Sequence, residues 1–349
     1  MPPFPSQRAA VRRRTMLAGL AGVVGLTSAC SAGGGTGGAS DAGDGGGTGD
    51  GADGFPLEIA NCEARLRFDA PPERVVLLES APVTTLDGIR VLDRVVSRAG
   101  AFPPGCYDED LAARIEEIPA LSEDIDASGH LQISQELVIA QQPDIVFGLP
   151  DGVTREALAD AGAQVVVQDI YCGTEEERAS FETLHATIAT YGEIFDRADE
   201  AEALTASLQD RVQAVSDASG DLGVATATVL YPSVGGGPLY TYGAGSMVTA
   251  QLDALGLENV FAGSAERVVE ISAEPLLDAD PDVLIVLYQG EGDGGAVVEE
   301  VTAQDQLASL RAVQQGALLP LLFNFAEPAS PLVVDGLERI HEWLLAREG

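Results

Sequence analysis

The residues whose setting recurs in this chain are two glutamates. Ile133-Ser134-Gln135-Glu136 is followed, seven residues after the Glu, by Pro143-Asp144-Ile145-Val146-Phe147. Ile271-Ser272-Ala273-Glu274 is followed, again seven after, by Pro281-Asp282-Val283-Leu284-Ile285. The copies lie 138 positions apart, 274 minus 136, too far for a solenoid unit, and predict two similar lobes. Each Ser is placed to cap a helix by accepting from its first-turn amides. Each Glu falls in that turn, where the helix dipole favours a carboxylate. Each Pro stops the helix two turns on, and a β-branched strand follows. Cap, short helix, turn and buried strand are the entry to a parallel α/β layer. The chemistry on offer is a pair of carboxylates, one on each lobe.

A second set is aromatic. Tyr107, Tyr171, Tyr231, Tyr240, Tyr242 and Tyr288 fall at or just past predicted strand ends, whereas Tyr191 falls inside a helix. Phe102, Phe323 and Phe325 join the strand-end group, and Glu79-Ser80-Ala81-Pro82 forms a strand-end loop. Ligands of open α/β sheets bind outside the carboxyl ends of the strands. Aromatic faces and a few hydroxyls there suit a wide organic ligand. Arg267, with Arg98 behind it, is the cation placed to meet an anionic part of such a ligand. Gly243-Ala244-Gly245-Ser246, before a helix, could present amides to an anion. His130, His185 and His341 are the three histidines and lie far apart, which argues against a direct transition-metal centre. No Gly-x-Ser-x-Gly occurs and no Ser–His–Asp set can be drawn, so the reading is a binder and not an enzyme, with no cofactor.

The elements that would position these residues run in alternation. Phe55 to Phe68 reads as an edge hairpin. Strands at Arg74–Leu78, Arg94–Ser97, Asp144–Phe147 and Gln164–Gln168 alternate with helices, giving a parallel first-lobe sheet over residues 55–175. Residues 176–218 read as two connector helices, the second capped by Asp196 and long enough, at 1.5 Å per residue, to span roughly 30 Å between lobes. Residues 219–349 form the second lobe: strands at Val224–Leu230 and Pro320–Phe325, the second repeat copy, and an amphipathic helix at Pro331–Arg347 that buries Trp343 and Leu344. The fold class is α/β, two Rossmann-like lobes joined by one long helix.

Composition narrows the partners. The chain of 349 residues has 55 acidic side chains against 19 basic, a net charge of −36, and every basic one is Arg. Nucleic acid is an improbable partner for that surface. Residues 1–30 read as an export signal: Arg12-Arg13-Arg14 is a basic region of twin-arginine type, Met16 to Leu26 is an apolar run too short to span a bilayer, and Leu26-Thr27-Ser28-Ala29-Cys30 reads as a lipoprotein cleavage box. Cleavage there would leave Cys30 lipidated, with residues 31–54 as a Gly-rich tether and the folded part at the outer face of the plasma membrane. Export permits a disulfide, and Cys62, Cys106 and Cys172 leave one over; spacing leaves Cys62–Cys172 and Cys106–Cys172 both open.

Arg74-Val75-Val76, the Ile-Ser-x-Glu…Pro-Asp repeat, Tyr240-Thr241-Tyr242-Gly243-Ala244-Gly245 and Leu255-Gly256-Leu257-Glu258-Asn259-Val260-Phe261 together resemble the iron-siderophore and cobalamin substrate-binding proteins of ABC importers. The similarity runs from about Phe55 to the C-terminus. It is closest to the actinobacterial ferric-siderophore branch, where a pair like Asn61-Cys62 and a second Cys near the end of the first lobe recur; the resemblance therefore implies Cys62–Cys172. It also implies a class III binding protein with little hinge closure. The implied ligand is a ferric siderophore, with cobalamin or heme as the alternative. The candidate ligand set, read from the strand-end positions above, is Glu79, Ser80, Phe102, Tyr107, Tyr171, Tyr231, Tyr240, Tyr242, Arg267, Tyr288 and Phe325. Family glutamates that dock into arginine pockets of the membrane permease match Glu136 and Glu274. Where many siderophore binders put several Arg in the cleft, this chain offers Arg267.

Overall fold

A computed structural model describes residues 54–126, 130–172, 178–220, 222–232, 238–290 and 292–348. Cys30, the export signal and all but the last residue of the Gly-rich tether lie outside the described residues.

The first lobe begins with a two-stranded antiparallel hairpin, β1 (Leu57–Asn61) and β2 (Ala64–Phe68). Next come β3 (Val75–Leu77), α1 (Val83–Gly88), β4 (Val95–Ala99), α2 (Glu109–Glu117), β5 (Ala120–Ser122), α3 (Gln135–Ile139), β6 (Ile145–Phe147), α4 (Arg155–Asp160) and β7 (Gln164–Val166). Its sheet has the order β5-β4-β3-β6-β7 and is parallel throughout. Strands β3 and β6 are wholly buried and contain only Val, Leu, Ile and Phe, as a sheet covered on both faces requires.

Two helices, α5 (Phe181–Phe195) and α6 (Ala198–Ala218), lead to the second lobe. That lobe contains β8 (Thr226–Pro232), β9 (Leu239–Tyr242), α7 (Met247–Ala254), β10 (Glu258–Asn259), β11 (Val268–Ile271), α8 (Ala273–Ala279), β12 (Val283–Tyr288), α9 (Gly295–Thr302), α10 (Arg311–Gln314), β13 (Leu318–Leu322) and α11 (Leu332–Glu348). The order is β11-β9-β8-β12-β13, with β10 also on β8. Here the sheet is mixed: β9 runs antiparallel to both β8 and β11. The antiparallel strands β9 and β11 were not among the strands expected from the sequence, because such short segments carry little periodic signal.

The internal repeat acquires a physical meaning. Asp144 Oδ2 accepts from the amides of Glu73 and Arg74 at 2.8 and 2.9 Å, just before β3. Asp282 Oδ2 accepts from the amides of Ala225 and Thr226 at 2.9 and 3.0 Å, at the start of β8. In each lobe the Pro-Asp pair ties the central strand's first amides to the strand beside it. The serines behave differently from expectation. Ser134 and Ser272 occupy N-cap positions, but neither side chain caps its helix; Ser134 instead supports the Glu136 carboxylate, which its own amide and Ser134 hold below the usual carboxylate range.

The lobes share one packed core. One core cluster runs from Leu77 and Phe147 of the first lobe through Ile188 and Leu208 of the connector to Met247 and Val333 of the second. At the crossing of α1 and α6, a Cβ on Gly88 would stand 2.6 Å from Leu204 Cδ2, so a larger residue there would push the Leu204 side chain aside. Arg211 of α6 grips α11 through Glu338 at 2.6 and 2.8 Å and Asp335 at 2.5 Å. Asp196 does not cap α6: it takes the left-handed C-cap of α5, and Arg197 is the N-cap of α6.

Candidate functional site

Segments that follow strands of the two lobes meet each other across the lobe boundary. On the first lobe β3 ends in Glu79 and Ser80, and β7 leads through Gln168 to Tyr171. On the second lobe β13 ends in Phe323-Asn324-Phe325, with Glu327 close behind. Asn324 Nδ2 donates to Ser80 Oγ at 3.1 Å. The Arg267 guanidinium lies 5.6 Å from the centre of the Tyr171 ring, within cation–π range. Both contacts cross from lobe to lobe.

The Tyr171 loop is held from below. Asn61, at the end of β1, donates to the Val167 carbonyl at 2.8 Å and accepts from the Val167 amide at 2.9 Å. Arg155 Nη2 adds 2.8 Å to the same Asn61 oxygen. Cys62 and Cys172 are joined by a disulfide, so the residue after Tyr171 is tied to the hairpin, and Cys106 is free and buried. Burial pushes the Cys106 thiol up to about 12, an unreactive state.

Two carboxyl groups flank the cleft. Glu327 is fully buried. Its Oε1 accepts from the Ser246 hydroxyl and from the Met247 amide, and its Oε2 stands 3.6 Å from Arg267 Nη1. The Gly243–Ser246 turn could have presented amides to an anion, but the amides of Gly243, Ala244 and Ser246 donate to backbone carbonyls, and only the Met247 amide at the start of α7 meets an anion, Glu327 of the same chain. Gly243 makes the turn possible, because a Cβ there would press on the carbonyl of Glu266 and stand 2.7 Å from that of Ser264. Glu79 is half-buried, and burial pushes its carboxyl up to about 7 while Gln168 opposes the shift. Its Oε1 is enclosed and lacks a hydrogen-bond partner. Gln168 Nε2 donates to Tyr191 Oη at 3.0 Å, so Tyr191, though inside α5, lies directly beneath the site. Burial, then Glu327, pushes the Tyr242 phenol above its ordinary range.

The eleven ligand residues expected from sequence are not one constellation. Glu79, Ser80, Tyr171, Tyr242 and Arg267 cluster around the contacts just described. Phe102 and Tyr107 line a cavity of about 340 Å³ with Arg98 and, from the second lobe, Gly290. Tyr288 and Phe325 face a separate cavity of about 580 Å³ with Arg339, Trp343 and the first lobe's Gly105. Tyr231 packs edge-on against Phe323, ring centres 6.1 Å apart. Tyr242 is the last residue of β9 and Tyr231 the last but one of β8, at strand ends as expected, whereas Tyr240 lies inside β9. Glu327, Gln168 and Asn324 were missed, since each takes its role from partners far away in sequence. Glu136 and Glu274 are exposed, each in the first turn of its helix. Among the described residues no group of three or more His, Cys, Asp or Glu could hold a metal ion, and no helix is long and apolar enough to cross a membrane.

Two α/β lobes bridged by a helix, with a polar-aromatic cleft between them, define the class III solute-binding fold. A family model described as periplasmic binding protein matches residues 75–321, and the chain belongs to that family of solute-binding proteins. It is 51% identical to a solved protein of an ABC-type Fe3+-hydroxamate transport system from Saccharomonospora viridis, covering 82% of this chain and 98% of that one at a TM-score of 0.77. A cobalamin-binding protein of Halobacterium salinarum is 26% identical over 79% of this chain and 70% of its own length. The periplasmic vitamin B12 binding protein of Vibrio cholerae, at 16% identity, 80% of this chain, 98% of its own and a TM-score of 0.57, shares the fold.

Proposed function

We propose that this protein binds a ferric siderophore between its lobes and delivers it to the membrane permease of an ABC importer. The observation that carries this reading is the pair of contacts, Tyr171 with Arg267 and Ser80 with Asn324, that closes a polar-aromatic cleft across two lobes that share a packed core. The similarity to an Fe3+-hydroxamate transport protein supports a hydroxamate chelate over other iron ligands. Tyr171 and Arg267, which meet across the lobes, hold the chelate. Delivery uses Glu136 and Glu274, one exposed carboxylate on each lobe. Single exposed ion pairs are weak, but two on lobes that share a core set orientation on a permease. Cys30 carries a lipid, and the folded part works at the outer face of the plasma membrane.

Titration with ferric hydroxamate, ferric catecholate, cobalamin and heme, followed by intrinsic fluorescence, tests the ligand. Saturable binding of a ferric chelate is the expected result. Binding of cobalamin alone would favour the second reading, which the Halobacterium relative supports. Charge reversal of both docking residues, Glu136→Lys with Glu274→Lys, should abolish uptake and spare binding; uptake that persists removes the docking role.

A further inference from the structure

The charges around the cleft do not balance. Arg267 is matched by Glu327 at 3.6 Å. Arg98, the other guanidinium near the strand ends, is matched by Glu123 at 3.4 Å and by the Ile115 carbonyl at 3.1 Å. Glu79 has no such match. Its Oε1 is enclosed without a hydrogen-bond partner. The titratable groups facing it are the phenols of Tyr171, from the loop after β7, and Tyr191, from α5; both are neutral, and the one side chain that hydrogen-bonds the carboxyl, Gln168, is neutral too. Among the described residues, Arg267 is engaged by Glu327 and no guanidinium is paired with Glu79.

We infer that the cleft selects a ferric chelate with a cationic substituent, such as a primary ammonium, set against Glu79, and rejects chelates with net negative charge. The inference rests on the ferric-siderophore reading and narrows it. Three hydroxamates neutralise a ferric ion, and a pendant ammonium makes the complex cationic, whereas three catecholates leave it strongly anionic. An ammonium against the accessible part of the Glu79 side chain supplies the counter-ion that this carboxyl lacks. An anionic chelate would place like charge beside a carboxyl that has no counter-ion, the repulsive half of specificity. The enclosed position of Glu79 strengthens both effects, because its field is weakly screened there.

The test compares a linear ferric trishydroxamate bearing a free terminal amine with the same chelate acetylated at that amine. Calorimetric titration of the full protein should show the amine form binding more tightly by on the order of tenfold. In Glu79→Gln the ratio of the two affinities should fall toward one, and in Glu79→Asp the preference should remain. A wild-type readout does not depend on any variant folding: near neutral pH the amine form should release a proton on binding, seen as heat that varies with buffer, and the acetylated form should not. Equal affinities in the wild type, no difference in proton release, or an undiminished preference in Glu79→Gln would overturn the inference while leaving ferric-siderophore binding intact. Failure of every ferric chelate to bind, with cobalamin or heme binding instead, would overturn the underlying reading itself.

Discussion

Removing the tie between the hairpin and the Tyr171 loop, by Cys62→Ser with Cys172→Ser, should destabilise the protein heavily. The bridge closes a loop with a sequence separation of 110. For a loop of that size the chain-entropy relation gives about 16 cal/mol/K, or about 5 kcal/mol at 25 °C. Part of the geometry survives without the bridge, since Asn61 still holds both the amide and the carbonyl of Val167, so folding should persist. Urea unfolding followed by circular dichroism is the assay. With a slope of about 3 kcal/mol/M, the midpoint should fall by roughly 1.5 M. The same variant should loosen Tyr171, the neighbour of Cys172, and so accelerate ligand release. A midpoint shift of under about 0.3 M at unchanged slope would refute the reasoning, because it would mean that the reduced chain loses no more entropy on folding than the bridged one.

Three further outcomes follow from buried contacts. Glu327→Ala strips the α7 amide and Ser246 of their acceptor and Arg267 of its counter-ion; a loss of about 3 kcal/mol is expected in chemical denaturation, and an unchanged midpoint would contradict it. Gly243→Ala forces a Cβ onto the Glu266 carbonyl and should cost about 2 kcal/mol or more, read as a lowered melting temperature. The Glu79 carboxyl, raised to about 7 from 4.5 by burial, binds more protons folded than unfolded between those values. Its contribution is therefore full below pH 4.5 and is lost as pH rises through 7; the difference in stability between wild type and Glu79→Gln should change in that window, and a flat difference across it would be the contrary result.

How far the sequence could be read depended on how local the determinants are. The Pro-Asp and Ser-x-Glu repeats were visible because a cap, a turn and a strand start are built from neighbouring residues. The hairpin, the parallel first sheet and the long α6 followed from spacing and apolar periodicity. The antiparallel strands of the second sheet were not foreseen at all, since β9 (Leu239–Tyr242) and β11 (Val268–Ile271) are four residues each and neither alternates cleanly between apolar and polar residues. Asp196 was ambiguous for a different reason: the same side chain suits a helix N-cap and a left-handed C-cap, and its φ of 54° decides for the latter. The aromatic set was over-gathered. Tyr288 and Phe325 share strand-end positions with Tyr171 but face a different cavity beside Trp343. Glu327 had no local signature at all: its partners Ser246 and Arg267 lie 81 and 60 residues away, and only the fold assembles them.

Hydrogen exchange with and without a ferric trishydroxamate tests the placement of the ligand between the lobes most directly. Protection should appear on both lobes together, at residues 78–80 and 168–172 of the first and 242–247 and 266–268 of the second. Protection confined to one lobe, or centred on Tyr288, Leu322 and Trp343, would contradict it.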